Sequence, residues 1–508
     1  MVAAGILLSR IIGLVRNRVF AHYFGTSAAA DAFNAAFRIP NFLQNLFGEG
    51  VLSASLIPVY AGLRARGSSR DAAAVATAVA ALLALTVSLL VLGGILLAPW
   101  LIDLIAPGFE GTKRELTIRL VRILFPGAGL LALSAWCLGV LNSHRRFFLS
   151  YVAPVVWNAA IIVALVGFDR GRAQDDLAVV AAWGSVVGSL LQLLIQLPTV
   201  LRVLDGLRPG PLLGPGSRVV LRNFGPVFVG RGVVQISAYV DTLLASLLPT
   251  GAVAAVSYAQ VLYTLPVSLF GMAVSAAELP EMSSATGTGE ERAAHLRGRL
   301  EAGLRQIAFL VVPSAVGFIA LGDVVTGALY QSGEFTRGMT LYVWGILAGA
   351  SVGLLPSTLG RLYSSAFYAM HDTRTPLRIA LVRVSLGMVL GYALALHLPD
   401  WLEIGAAWGA AGITLASGVA AGVEYLLLRG AASRRIGATR LPAGLIGRLW
   451  LAAGVAATAG WLVRAVLPPM HPIGAAVVVL GAFVLAYVGM AIAMGVPEAR
   501  ALVRRMSR

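Results

Sequence analysis

The sequence predicts an all-α polytopic membrane protein: about fourteen transmembrane helices in two pseudo-two-fold six-helix lobes around a central cavity, followed by two C-terminal helices. Three observations carry this. The 508 residues are 58% hydrophobic and 12% charged, with a mean hydropathy of +0.83, whereas soluble domains carry about 25% charged residues. Apolar runs recur from end to end, each of about 18 residues or more and so long enough to cross about 30 Å of hydrocarbon. Arginine is concentrated in alternate loops, as the positive-inside rule requires.

The runs lie near 2–23, 28–62, 72–105, 115–142, 148–168, 176–204, 217–249, 251–284, 294–322, 337–370, 375–397, 403–430, 442–467 and 471–495. Run length and the Ala, Leu and Gly content select helices over a barrel. Runs two, three, seven and eight exceed what a bilayer needs, so they should tilt, bend or protrude. The first run lacks an A-x-A-like site and continues into a charged helix, so no secretory signal peptide is expected.

The first two runs carry charge where a membrane helix should have none: Arg10, Arg16 and Arg18, then Asp31, Arg38 and Glu49. A charge at mid-bilayer costs about 2.5–3.5 kcal/mol on insertion scales, and such residues face a bundle interior or a wet cavity. Arg10, Gly13 and Arg16 share a broad helical face with no carboxylate on it. Two guanidiniums beside a glycine form half of an anion clamp, whose other half would be a phosphate. Asp31 would repel such an anion, so its partner should be an arginine or a gate donor that changes between states.

Loops after even-numbered runs are arginine-rich, as in Arg64, Arg66 and Arg70, then Arg145 and Arg146, then Arg202 and Arg208. The alternate loops are poor in positive charge or balanced by acid, as in Asp103 and Glu110 against Lys113 and Arg114. Both termini are therefore expected in the cytoplasm, as an even number of spans demands. The net charge of +16 is nearly all arginine, and Lys113 is the one lysine. In a membrane protein this points to topology and anionic lipid rather than nucleic acid. Cys137, the lone cysteine, excludes an internal disulfide, and the six histidines show no metal-ligand spacing.

A weak repeat divides the chain. Residues 40–58 and 266–280 both run from a proline through LFG and a small-residue segment to a second proline. The turns NSHRRF at 142–147 and HDTRTP at 371–376 recur at a similar offset. Six-run repeats keep their orientation, so the halves would be related by an axis along the membrane normal. The expected organisation is a lobe at 1–205, a Pro/Gly-rich cytoplasmic linker at 206–216, a lobe at 217–430, and a last helix pair with a basic tail at 431–508. Arg231, Asp241, Glu278, Arg361, Arg383 and Glu424 are charges inside the second-lobe runs. Asp241 is expected to pair across helices or to bind a cation or proton. Pro40 and Pro266, with Pro226 and Pro356, interrupt long runs and are candidate hinges. A cationic cavity lined from both lobes suits an anion with polar bulk, such as a pyrophosphate headgroup.

The stretches SRIIGLVRN (9–17), ADAFNAAFRIPN (30–41), FGEGVLSASLIPVY (47–60), APGF (106–109), QISAYVDTLLASLLPTG (235–251) and HDTRTPLRIA (371–380) resemble the MurJ (MviN) lipid II flippases, within the multidrug and oligosaccharide–lipid exporter superfamily. The resemblance covers almost the whole chain. It implies fourteen spans, a V-shaped cavity, and export of undecaprenyl-pyrophosphate-linked disaccharide pentapeptide (lipid II) across the bacterial inner membrane without enzymatic chemistry. Possible partners it implies are the cell-wall synthesis machinery and anionic lipids. It implies no cofactor, and coupling to membrane potential, sodium or protons. Arg10, Arg16 and Asp31 match family positions tied to function, Glu49 falls in its EG motif and Arg361 matches a basic position; with Arg38, and with Arg231 as a substitute from an adjacent helix, the arginines are expected to bind substrate, and Asp31, Glu49 and Asp241 to gate or couple. Gln44, Val261 and Thr264 depart from charges found in some members. An oligosaccharide–lipid or drug exporter is the alternative. A polytopic lipid-processing enzyme would need acidic or His/Asp sets on long aqueous loops, which the sequence lacks.

Overall fold

The computed structural model describes residues 2–506 except 48, 170, 209, 285–287 and 440; the side chains of 2–4, 6, 44–46, 49–51, 53, 54, 225–238, 505 and 506 lie outside that description. The described residues are helical with no strands, and the chain packs as two compact units, Met1–Ala254 and Ala255–Arg508.

The first unit contains α1 (Val2–Phe24), α2 (Ala28–Phe47), α3 (Glu49–Ala65), α4 (Ser69–Leu96), α5 (Ala98–Ile105), α6 (Gly111–Ser143), α7 (Phe147–Phe168), α8 (Gln174–Val203) and α9 (Pro215–Ser246). α10 (Ala252–Pro266) begins in it and continues into the second unit. There a π-helical turn (Val267–Met272) leads to α11 (Ala273–Ser283), α12 (Gly289–Tyr330), α13 (Arg337–Ser351), α14 (Leu354–Ala369), α15 (Arg374–Trp401), α16 (Gly409–Ile436), α17 (Ala443–Val466), α18 (Pro472–Ala493) and α19 (Pro497–Met506).

Every predicted run falls on one helix or one broken helix. Among the described residues, ten helices are long and apolar enough to cross a membrane, or eleven if α13 and α14, bent by 44°, make one span. The runs outside that set are α1, α2–α3 and α9. These are runs in which the sequence already showed internal charge. Run three breaks at Leu97 between α4 and α5 and run eight at the π-turn directly after Pro266, whereas run seven stays one helix, α9. Pro40 is buried inside α2.

α6 is the spine of the first unit, packing against α2, α3, α4 and α8. Its Trp136 indole donates to the Ala76 carbonyl at 3.0 Å. Gln192 donates to Ser134, which donates to Gln196, a buried polar chain that links α6 to α8. In lipid such pairing matters because helix association there lacks a hydrophobic drive. The Pro/Gly-rich linker is anchored: the Arg208 N–H donates to Thr77 of α4 at 3.1 Å, and Ser217 Oγ closes the turn on the Leu212 carbonyl at 2.7 Å.

In the second unit α12 runs past its predicted end and kinks at Leu321 (φ −129°, ψ 15°). Carbonyls around the kink are taken by two indoles: Trp344 of α13 donates to Phe318 and Ile319, and Trp461 of α17 to Ala320. Buried Asp323 then pairs with Arg337 at 2.6 Å and Arg464 at 2.8 Å. The kink thus ties α13 and α17 to α12.

Candidate functional site

Ser27 caps α2, its Oγ accepting from the Ala30 N–H at 3.2 Å, and this sets Asp31 in the first turn. Asp31 is 1% exposed. Its Oδ2 accepts from Lys113 Nζ at 2.8 Å and from the Gly251 N–H at 2.7 Å, and its Oδ1 from the Ala254 N–H at 2.8 Å. The chain's single lysine is therefore committed to this carboxylate; its Nζ also lies 4.0 Å from the Phe109 ring centroid. A buried carboxylate is tolerable only when paired and hydrogen-bonded, and here it has a full positive charge and two donors at the start of α10, where the helix dipole favours an anion. The partners expected from sequence were an arginine or a gate donor; those observed are a lysine and two backbone donors. Gly251 adopts φ +98°, and a Cβ there would lie 2.5 Å from the Thr26 carbonyl oxygen, so the position requires glycine. Beside this cluster the Gly108 N–H donates to Ser246 Oγ at 3.3 Å, and Ser246 is 2% exposed.

Arg16 lies half-buried, its Cζ 5.1 Å from the Trp157 ring and 6.0 Å from Phe37, two rings stacked on each other at 5.9 Å. Its Nη2 donates to Asn17 Oδ1 at 2.9 Å. Aromatic faces steady a guanidinium. Arg10 is exposed on the same helix, and a Cβ at Gly13 between them would meet nothing within 4 Å. The Arg10–Gly13–Arg16 face is thus open at its middle.

Arg38 of α2 is partly buried. Its carbonyl accepts from the Tyr239 hydroxyl of α9 at 3.0 Å, and Asp241, one half-turn on, lies within electrostatic reach of its guanidinium. Asp241 thus faces a helix of the first unit. Arg361 on α14 is exposed, within reach of Arg383 and Glu424, which form an ion pair at 3.0 Å. Tyr263 meets Ser357, one turn before Arg361, at 2.8 Å. Glu278 pairs with Arg299 at 2.9 Å. Glu49 and Arg231 lie at described backbone positions, but their side chains, like that of Gln44, fall outside the described residues.

The two arginine-bearing turns of the repeat use one device. Arg145 (φ 56°) and His371 (φ 59°) both turn left-handed, and the following N–H closes back five residues, Arg146 to Leu141 and Asp372 to Phe367, each at 2.9 Å. His144 lies 2.8 Å from the Tyr60 hydroxyl. Burial, then the charges of Arg64 and Arg146, push its pKa down to about 4. Asp372 is held at about 2, chiefly by the Thr375 hydroxyl and N–H.

Sequence reasoning missed Lys113, Gly251, Trp157 and Phe37. The available signals were a lone lysine in an arginine-dominated chain, a Pro-Thr-Gly turn before a helix, and an i, i+4 phenylalanine pair facing Arg16.

The sequence profile of a family described as Lipid II flippase MurJ matches residues 20–493. A relative from Burkholderia cenocepacia, named Lipid II flippase MurJ, is 33% identical over 83% of this chain and 80% of its own length. One from Haemophilus influenzae, named Probable lipid II flippase MurJ, is 31% identical over 84% of both. A solved structure described as Lipid II flippase MurJ in an inward closed conformation matches at TM-score 0.79, with 22% identity over 99% of both chains. An inward-facing multidrug resistance MATE family transporter matches at 0.66, with 18% identity over 83% of this chain and 95% of its own.

Proposed function

The chain belongs to the MurJ family of lipid II flippases, and from that premise we propose how its own residues move lipid II from the inner to the outer leaflet of a bacterial inner membrane by alternating access. The observation that carries the reading is the Asp31 carboxylate, satisfied by Lys113, Gly251 and Ala254, in the same stretch as a helix face that bears Arg10 and Arg16 with room at Gly13 between them. The pyrophosphate docks on that face, where each guanidinium can take two phosphate oxygens. Trp157 and Phe37 hold the Arg16 plane for that contact. Arg38, Arg231 and Arg361 are the further substrate-binding cations of this reading, with Asp241 moderating Arg38.

Asp31 is the gate. In the topology proposed, with fourteen spans and both termini cytoplasmic, Lys113 and Gly251 belong to external connections. Closure of the Asp31 cluster then seals the external side while substrate loads from inside. Moving such an equilibrium from 1:99 to 99:1 takes about 5.5 kcal/mol. Hydrogen bonds to a charged group contribute about 1.5–3 kcal/mol each, so three of them match the scale of a gate that substrate or membrane potential can still open. Helices under every predicted run support a repeat of runs 1–6 in runs 7–12, with Pro40 and Pro266 as its hinges. The test is a proteoliposome flipping assay with lipid II against an O-antigen-type precursor. Selective flipping of lipid II is expected; equal or preferred transport of the precursor would move the chain to the oligosaccharide–lipid branch of the superfamily.

A further inference from the structure

α19 lies beyond every predicted span. It follows α18 after three residues, Met494–Val496, which reach at most about 10 Å. Pro497 at its start prevents continuation of α18, and Gly495 (φ +73°) makes the turn, with the Val496 N–H closing on the Ala491 carbonyl at 2.9 Å. The helix therefore starts within the headgroup depth of whichever leaflet α18 ends in.

Its sequence, PEARALVRRM, sets Ala499, Leu502, Val503 and Met506 on one face at i, i+3, i+4 and i+7. That face begins inside the protein: Val496 and Ala499 are fully buried in the core shared by α12, α17 and α18. It then runs out of it, leaving Leu502 36% and Val503 43% exposed. Arg500 and Arg504 are exposed beside it, and Arg505 follows in sequence. An apolar edge flanked by arginines, starting at headgroup depth, matches an anionic lipid surface in both chemistry and position.

We propose that α19 docks on an anionic phospholipid surface, Leu502 and Val503 entering the acyl boundary and Arg500 and Arg504 holding lipid phosphates. Because Val496 and Ala499 share a core with α12 and α18, this docking holds the end of the last helix pair at the bilayer surface. The side of the membrane rests on the topology of the proposed function; the docking itself does not.

The test uses the full chain in nanodiscs of zwitterionic lipid, with or without phosphatidylglycerol, carrying an environment-sensitive dye on Leu502→Cys in a Cys137→Ala background. Phosphatidylglycerol should shift the dye emission to the blue, and Arg500→Gln with Arg504→Gln should raise the phosphatidylglycerol fraction needed by about five-fold per arginine, about 1 kcal/mol each. A melting temperature equal to the parent's checks that these variants leave the fold intact. Equal emission in both lipids would overturn the proposal, as would a shift that survives the double substitution. An impermeant quencher in oriented vesicles reports the side independently: quenching from outside would overturn the topology and leave the docking result standing.

Discussion

Asp31→Asn is the sharpest perturbation of the proposed gate. Asparagine keeps the shape but loses the charge that Lys113 pairs with at 2.8 Å, and it brings an NH2 where Oδ1 or Oδ2 accepts a backbone N–H. Breaking a buried pair by removing one partner costs about 3–5 kcal/mol. If the cluster exists only in the externally closed state, a loss of about 3 kcal/mol moves the conformational equilibrium about a hundred-fold. Ser246 reports this, being 2% exposed beside the cluster. With Ser246→Cys in a Cys137→Ala background, an impermeant maleimide added outside should label the Asp31→Asn variant ten- to a hundred-fold faster than the parent. Lys113→Gln should act similarly, and the Asp31→Asn, Lys113→Gln double variant should be less impaired than the sum of the two, since neither charge is then left unpaired. Unchanged labelling together with full flipping under an imposed potential would refute the gate.

Gly251→Ala should speed the same labelling, because a left-handed non-glycine costs about 1–2 kcal/mol before its Cβ meets the Thr26 oxygen; a wild-type rate would show that the turn relaxes. Arg16→Lys keeps the charge but loses bidentate and stacking geometry, so lipid II binding to purified protein should weaken about ten-fold or more, with Trp157→Ala losing about 0.5–2 kcal/mol of it and leaving insertion intact. For pH, His144 has a folded pKa of about 4 against about 6.5 unfolded. The unfolded chain therefore binds more protons between these values. Thermal stability should be flat above pH 6.5 and fall as pH drops toward 4, and His144→Gln should flatten that part of the melting profile. Asp372, at about 2, adds a loss only at still lower pH.

Helix positions were legible because they depend on local apolar run length, which lipid makes decisive. Even breaks at Leu97 and after Pro266 followed from runs too long for the bilayer. Contacts were not legible. Lys113 is 82 residues from Asp31 and Gly251 is 220 away; nothing in the local pattern of either says that one carboxylate joins them. Arg16 showed the same limit: its charge marked it, but the aromatic faces that hold it came from Phe37 and Trp157 on other helices. The linker was legible as Pro- and Gly-rich, but not its attachment to α4 through Thr77. The apolar positions of the basic tail are too few to form a run, and their spacing only acquires meaning once Ala499 is seen in the core.

The division of charge also bears on why one short stretch carries both an acid and several arginines. A carboxylate free in a pyrophosphate path would repel the substrate, and arginines near a free carboxylate would pair with it rather than with phosphate. The fold removes both conflicts by giving Asp31 the chain's one lysine and two backbone donors. A lysine suits this role: as a compact ammonium on a flexible stem it makes a strong but undirected pair, which separates more readily than a bidentate arginine. The arginines carry the planar forks that recognise phosphate oxygens. On this argument Lys113→Arg should close the gate too firmly, slowing flipping while lipid II still binds. Faster or unchanged flipping in that variant would show that the lysine is not selected for its weaker, less directional grip.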